Sequence, residues 1–139
     1  MDKSNSTVAR RIAEASRAFE QRRTGHAPRS VTVVLSENTL VITLHGALSA
    51  AETVLAQSPA GAAQVQEFHR QLFNNSADEL RQEIKRIAGV EVCAATTEVE
   101  SAAGTVVQVF TTGTVVQVFL LAHSVPAESW SGSELSDHS

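Results

Sequence analysis

Apolar residues in the first part of the chain recur every three or four positions, which is the spacing of one helix face. The residues on this face are Val8, Ile12, Ala15 and Phe19. Asn5 or Ser6 can cap the start of the helix, and Gly25 can end it in the left-handed conformation. Pro28 then favours an extended exit, because proline disfavours helical backbone in the residue before it. The pattern predicts one amphipathic helix followed by a constrained turn.

Two runs with a period of two come next. Residues 31–36 and 40–45 each alternate between two sets of side chains, as strands do. Glu37-Asn38 lies between the runs as a two-residue polar turn, and Gly46 ends the second run. The two runs therefore predict an antiparallel hairpin.

A short helix is predicted directly after the hairpin. Ser49 and Glu52 have the spacing of a capping box, in which each residue bonds the backbone of the other. The helix runs to about Gln57, where residues 58–61 (Ser-Pro-Ala-Gly) break it.

A long helix is predicted from Gly61 to Ala88, closed by Gly89. Its apolar stripe consists of Val65, Phe68, Leu72, Leu80, Ile84 and Ile87. A second capping box at Ser76 would allow a break at Asn74-Asn75. The stripe passes through Ser76 without losing phase, which favours one continuous helix.

The last third of the chain contains the same heptamer twice, because residues 104–110 and 113–119 both read GTVVQVF. The offset of nine is odd, and side chains along a strand alternate with a period of two. One continuous strand would therefore drive either Gln108 or Gln117 into the core. A hairpin that turns at Thr112-Gly113 places Gln108 opposite Gln117 and gives every residue type a consistent side. We predict the hairpin.

The last strand of that hairpin would leave an edge that is apolar, uncharged and free of proline. Such an edge invites pairing with another chain. The predicted contact between copies of the chain is formed by Val115, Val116, Gln117, Val118 and Phe119.

With a further strand read over Val90 to Glu100, these elements predict an α+β fold in two layers, with helices packed on an antiparallel sheet. The order is α-β-β-α-β-β with an extra C-terminal strand. A chain of 139 residues with 42% hydrophobic residues suits one core. We predict one domain over residues 1–125 and a disordered, Ser-rich and acidic tail over 126–139.

Charge divides unevenly along the chain. Residues 1–30 hold seven basic and three acidic residues, whereas the rest holds four basic and twelve acidic ones. The basic helix could bind an anion, RNA or an acidic membrane. Alternatively, its charged side could be a solvated face, or the helix could dock on an acidic partner of its own. The alternative is favoured, because proteins that read nucleic acid are usually basic overall, and this chain has a net charge of −4.

The expected location is the cytoplasm. The chain has no apolar run long enough to enter a membrane and no apolar export segment at its start. The single Cys93 excludes an internal disulfide and suits a reducing compartment. Its mid-strand position predicts a small core side chain and not a nucleophile.

No motif of the common enzyme classes is present, and no two histidines have the spacing of metal ligands on one helix. We therefore predict no catalytic residues, no metal and no cofactor. The best candidate binding site is the turn Gly25–Arg29, where His26 and Arg29 lie beside Arg22 and could bind a small anion. The alternative is that the turn only stops the helix. Glu52 is a further candidate, although a capping glutamate needs no other role.

Several short motifs resemble the MpsC-like family of small bacterial proteins. They are Gly25–Val31 (GHAPRSV), Leu48–Glu52 (LSAAE), Gly61, Arg70–Phe73 (RQLF) and Ile87–Val90 (IAGV). The resemblance runs from about Val8 to Thr112 and adds Arg70 to the candidate binding residues. At the turn, family members often read Gly-x-Gly-Pro, whereas this chain has Ala27 in place of the second glycine. The second heptamer lies outside the family pattern.

The resemblance implies a link to a membrane-potential-generating system that works with a bicarbonate-type transporter. We expect a non-enzymatic accessory or regulatory module that forms a homodimer or higher oligomer, with a membrane transporter as a further partner. It would neither insert into the membrane nor bind nucleic acid. The alternative function is binding of a small anion or metabolite at the Gly25–Arg29 turn.

Overall fold

A computed structural model describes residues 2–36, 39–100 and 104–111 of the chain. Its three helices are α1 (Asp2–Thr24), α2 (Ala50–Leu55) and α3 (Pro59–Ala88). Its four strands are β1 (Ser30–Ser36), β2 (Thr39–His45), β3 (Ala94–Glu100) and β4 (Thr105–Thr111). The predicted α+β class and the element order over these residues are confirmed.

The four strands form one antiparallel sheet in the order β1-β2-β4-β3. The predicted first hairpin is confirmed, with Val33 opposite Ile42; its turn at residues 37–38 lies outside the described part. β3 and β4 form a second hairpin, with Thr97 opposite Gln108. β2 and β4 then pair with each other and join the two hairpins.

One face of the sheet carries the core, and the two long helices, α1 and α3, pack on that face, whereas α2 packs on α3. Alternate residues of β2 and β4 point inward, so Leu40 lies opposite Phe110 and Leu44 opposite Val106. α1 packs on β1 and β2, α3 packs on β3, and the two long helices pack against each other. The result is the predicted two-layer arrangement.

α1 begins at Asp2, before the predicted caps at Asn5 and Ser6. Its predicted end is confirmed. Gly25 has φ +79°, and its N–H donates to the carbonyl oxygen of Gln21 at 2.8 Å. A residue with a side chain would be strained at this φ, which explains why glycine ends the helix here.

α3 is one continuous helix, as predicted. Ser58 caps it by accepting a hydrogen bond from the N–H of Gly61, and Pro59 occupies its first turn. The Ser76 hydroxyl does not start a new helix, because it donates to the carbonyl oxygen of Leu72 inside the same one.

The predicted buried stripe of α3 is confirmed at Val65, Leu80, Ile84 and Ile87 but is wrong at Phe68 and Leu72. Phe68 is 47% exposed and Leu72 is only partly buried, whereas His69 and Phe73 are buried. The observed buried residues are Gly61, Val65, His69, Phe73, Leu80, Ile84 and Ile87. Both stripes advance by three or four residues, so periodicity alone cannot separate them. The observed stripe is one residue further along because Phe73 packs on Phe110 of the central strand, with ring centroids 6.0 Å apart.

β3 begins at Ala94 and not at Val90, and this corrects the prediction for Cys93. Cys93 lies just before the strand and is exposed. It is therefore not a core side chain.

β4 contains six residues of the first heptamer copy, and both of its edges are hydrogen-bonded, one to β2 and one to β3. β4 therefore has no free edge at which Gln108 could pair with Gln117 as the sequence predicted. The second copy, the extra C-terminal strand, the proposed contact at residues 115–119 and the tail at 126–139 lie outside the described residues. Among the described residues, no helix has the length and apolar character needed to cross a bilayer.

The corrected stripe predicts different costs for two neighbouring substitutions. Phe73→Ala should lower the free energy of unfolding by about 3–5 kcal/mol, because it leaves a cavity against Phe110. Phe68→Ala should cost about 1 kcal/mol or less, because its ring is half exposed and contacts His69 edge-on. Urea unfolding of both variants measures the difference, and equal losses would contradict the corrected stripe.

Candidate functional site

The predicted turn at Gly25–Arg29 is fixed by local hydrogen bonds. The Nε2–H of His26 donates to the carbonyl oxygen of Gly46 at 3.0 Å. The backbone N–H of Arg29 donates to the carbonyl oxygen of His45 at 2.7 Å. The His26 N–H also donates to the hydroxyl of Thr24 at 3.1 Å. These bonds tie the exit of α1 to the end of β2.

The predicted site residues make separate contacts. Arg29 is exposed, and its Cβ lies against Gly46 closely enough that a Cβ there would come within 2.9 Å. Arg70 pairs with Glu67 on the exposed side of α3. In the described part of the chain, no hydrogen bond or ion pair joins two of the five candidates His26, Arg29, Arg22, Glu52 and Arg70.

Arg22 borders a groove of about 290 Å³ between α1 and α3. The same groove is lined by Glu79 and Glu83, so a small anion beside Arg22 would also meet two carboxylates. The pKa of Glu83 is lowered, first by its hydrogen bond from Arg86 and further by the charges of Arg11 and Arg22. Acidic residues of α3 therefore lie close to basic residues of α1.

A different group of charged residues is buried between the three helices. The buried charge cluster consists of Glu20, Arg23, Glu52 and His69. His69 is central, since its Nε2–H donates to Glu52 Oε2 at 2.8 Å while its Nδ1 lies 3.8 Å from Glu20 Oε2. Arg23 Nη1 lies 3.8 Å from the other oxygen of Glu20. The side chains of Glu20 and His69 are each only 3% exposed.

Each helix places its member of the cluster by a local rule. Glu20 follows Ser16 by four residues on the buried face of α1, and His69 follows Val65 by four on α3. Glu52 is fixed by the predicted capping box, which is confirmed: its Oε1 accepts from the Ser49 N–H at 2.9 Å. Its second oxygen is thereby left for His69.

Gly61 allows α2 to lie close enough to α3 for this contact. A Cβ at Gly61 would lie 1.8 Å from the carbonyl oxygen of Leu55, so the two helices meet where α3 has no side chain. This packing brings Glu52 against His69, two turns further along α3.

The electrostatics of the cluster differ between its two carboxyl groups. Burial raises the pKa of Glu20, and the nearby charges of His69 and Arg23 oppose that rise without cancelling it. Burial would also raise the pKa of Glu52, but hydrogen bonds from the Ser49 N–H and from His69 outweigh it, so this pKa is lowered.

The cluster is poorly arranged for a metal ion, because the two carboxylates contact opposite nitrogens of the imidazole. Among the described residues, no group of three or more His, Cys, Asp or Glu side chains could hold a metal ion. Several buried polar atoms of this region have no hydrogen-bond partner, namely Ser16 Oγ, Glu20 Oε2 and Arg23 Nε.

Sequence reasoning found only Glu52 of this cluster. A signal for the others exists in the two helices: Ile12, Ser16 and Glu20 lie four residues apart, as do Val65, His69 and Phe73. A charged or imidazole side chain in phase with a buried stripe indicates a buried polar contact. A prediction that places only large apolar residues on the buried face of a helix misses such polar residues.

The opposite pKa shifts of the two glutamates predict opposite pH effects. Glu20 keeps its proton to a higher pH in the folded chain than in the unfolded chain, so its contribution to stability is lost as pH rises through the raised pKa. Glu20→Gln cannot ionise and should gain stability relative to the wild type as pH rises from about 4.3, the ordinary glutamate pKa.

Glu52→Gln is the matched control. The lowered pKa of Glu52 stabilises the folded chain above that ordinary value, and this is lost as pH falls, so Glu52→Gln should lose stability relative to the wild type as pH rises. Urea unfolding at a series of pH values on both sides of about 4.3, the ordinary glutamate pKa, measures both. Parallel curves for the two variants would contradict the assignment.

Comparison with known proteins identifies a family for most of the chain. Residues 4–114 match the family model of MpsC, described as the Na⁺-translocating membrane potential-generating system. No curated protein and no solved structure gives a significant match. The match covers well over half of the sequence and all the described elements except the first residues of α1, so the chain belongs to the MpsC family.

Proposed function

We propose that this protein is a non-catalytic accessory or regulatory module of a membrane-potential-generating system, acting beside a membrane transporter. The observation that carries the proposal is the family match over residues 4–114. The family description links the chain to such a system but assigns it no reaction.

The buried charge cluster supports a non-catalytic role. Its acid and base groups face one another: Glu52 is engaged by the α2 cap and by His69, and Glu20 lies between His69 and Arg23. A general acid or base must reach a substrate atom within hydrogen-bond distance. Glu20 and His69 are nearly inaccessible to solvent, which favours a role in fixing how the three helices pack. The turn at Gly25–Arg29 gains less support as an anion site, because His26 already donates to Gly46.

Removing the chain from its cells tests the role directly. Cells that lack it should accumulate less of a lipophilic cation, which reports the membrane potential, and the wild-type chain should restore the uptake. Glu52→Gln should restore it equally, because a cap with glutamine retains the fold and a non-catalytic module needs no carboxylate there. Unchanged uptake without the chain would contradict the role in the system. A folded Glu52→Gln variant that fails to restore uptake would contradict the non-catalytic part.

Self-association is the second part of the proposal. The two edge strands of the sheet differ in charge: β1 (SVTVVLS) has no charged residue, whereas β3 carries Glu98 and Glu100. In the described part of the chain, the outer edge of β1 has no strand partner. An uncharged edge without proline is suited to pairing with a second copy, and like charges oppose the same pairing at β3.

A lysine on each edge strand tests this surface. Light scattering should give at least a dimer mass for the wild type at micromolar concentration, and Val34→Lys should reduce it to the monomer mass, because Val34 is 53% exposed on β1. Thr96→Lys, an exposed position on β3, is the control and should remain associated. A monomeric wild type would contradict self-association, and dissociation only by Thr96→Lys would place it at the other edge.

A further inference from the structure

The segment at the centre of the sheet has an identical copy nine residues later. Residues 104–110, which form most of β4 with the glycine before it, read GTVVQVF, and so do residues 113–119. No other part of the sheet is duplicated in this way. The place that β4 occupies between β2 and β3, the β4 slot, therefore has two segments of equal chemistry that can fill it.

The β4 slot makes demanding requirements. Three side chains point into the core, and Val106, Gln108 and Phe110 are each no more than 2% exposed. Gly104 has φ +66°, and its carbonyl oxygen accepts the N–H of Ala47 at 2.9 Å. A residue with a side chain would be strained at that φ.

The second copy meets every one of these requirements. Gly113 corresponds to Gly104, and the three inward positions become Val115, Gln117 and Phe119. Ile42 of β2, which lies opposite Gln108, would lie opposite Gln117, so the contact keeps its chemistry. Only the last position differs, where Leu120 would replace Thr111.

The one differing position lies at the end of the strand. Thr111 pairs with Thr39 on one side and Ala94 on the other. The six strand positions before it are identical in the two copies.

We propose that either heptamer copy can fill the β4 slot, so that the sheet exists in two interchanging registers nine residues apart. The first register is the described one, with four residues (101–104) between β3 and β4. The second register has thirteen residues (101–113) in that connection. The probability of closing a loop falls as about the −3/2 power of its length, so the second register should be roughly six-fold less populated.

The exchange would move the point at which the chain leaves the sheet. In the first register, 28 residues (112–139) follow the β4 slot, and in the second, 19 residues (121–139) follow it. Nine extended residues span up to about 30 Å, so the two registers differ in how far the C-terminal segment reaches. The domain itself keeps the same core in both.

Paired charge substitutions in the two copies test the exchange. Phe110→Asp excludes the first copy from the core, so the chain should fold through the second, with an unfolding equilibrium constant roughly seven-fold larger than that of the wild type, which follows from the six-fold population ratio. Phe119→Asp should leave that constant almost unchanged. The double variant has no copy left and should raise it more than about a hundredfold, as loss of a buried phenylalanine does. A Phe110→Asp chain as unstable as the double variant would overturn the proposal.

Disulfide trapping tests the same exchange in a chain with both copies intact at the core positions. In a Cys93→Ser background, Val41→Cys lies directly opposite position 109 in the first register and position 118 in the second. Val41→Cys should therefore form a disulfide with Val109→Cys and also with Val118→Cys, the second roughly six-fold more slowly.

The control uses β1. Val34 pairs with Val41 and lies one strand further from the β4 slot, about 10 Å from position 118 in the second register, which is too far for a disulfide. Val34→Cys with Val118→Cys therefore reports random encounters. If Val41→Cys with Val118→Cys reacts no faster than this control, the second register is absent.

Discussion

The pairing of β2 with β4 is the constraint on which the rest of the structure depends. The β1–β2 and β3–β4 hairpins are local, and each could close through its own short turn. Of the three strand pairings in the described part of the chain, only β2–β4 joins residues more than sixty positions apart, with Leu40 opposite Phe110 and Leu44 opposite Val106. It forms the apolar face of the sheet on which α1 and α3 pack, and it places Phe110 in contact with Phe73. A shift of the ladder by one residue would turn these apolar side chains to the opposite face, so the packing of the helices fixes the register.

The sequence predicted the local parts of this arrangement and missed the non-local part. The first hairpin, the capping box at Ser49 and the glycine stops at Gly25 and Gly89 all follow from patterns a few residues long. The central position of β4 does not, because its neighbour β2 lies far away in the chain. A reading from adjacent residues paired the first heptamer with the second. In the structure both edges of the first are already occupied.

The buried charge cluster follows from the same geometry and shows why its members were harder to predict. α2 and α3 approach closely at Gly61, so Glu52 reaches His69, and α1 supplies Glu20 from the other side. Each residue looks ordinary within its own helix. Only the tertiary fold turns a capping glutamate, a second glutamate, a histidine and an arginine into one buried group.

The charged residues of the described chain differ in whether they contact one another within the domain or lie on the edges of the sheet. Arg22 of α1 lines one groove with Glu79 and Glu83 of α3, so basic and acidic residues of the two helices lie close together. The buried cluster is likewise occupied by its own members. Of the two sheet edges, β3 carries two carboxylates that discourage strand pairing, whereas β1 carries none. The uncharged edge of β1 is therefore suited to strand pairing with another chain, whereas the carboxylates of β3 oppose such pairing.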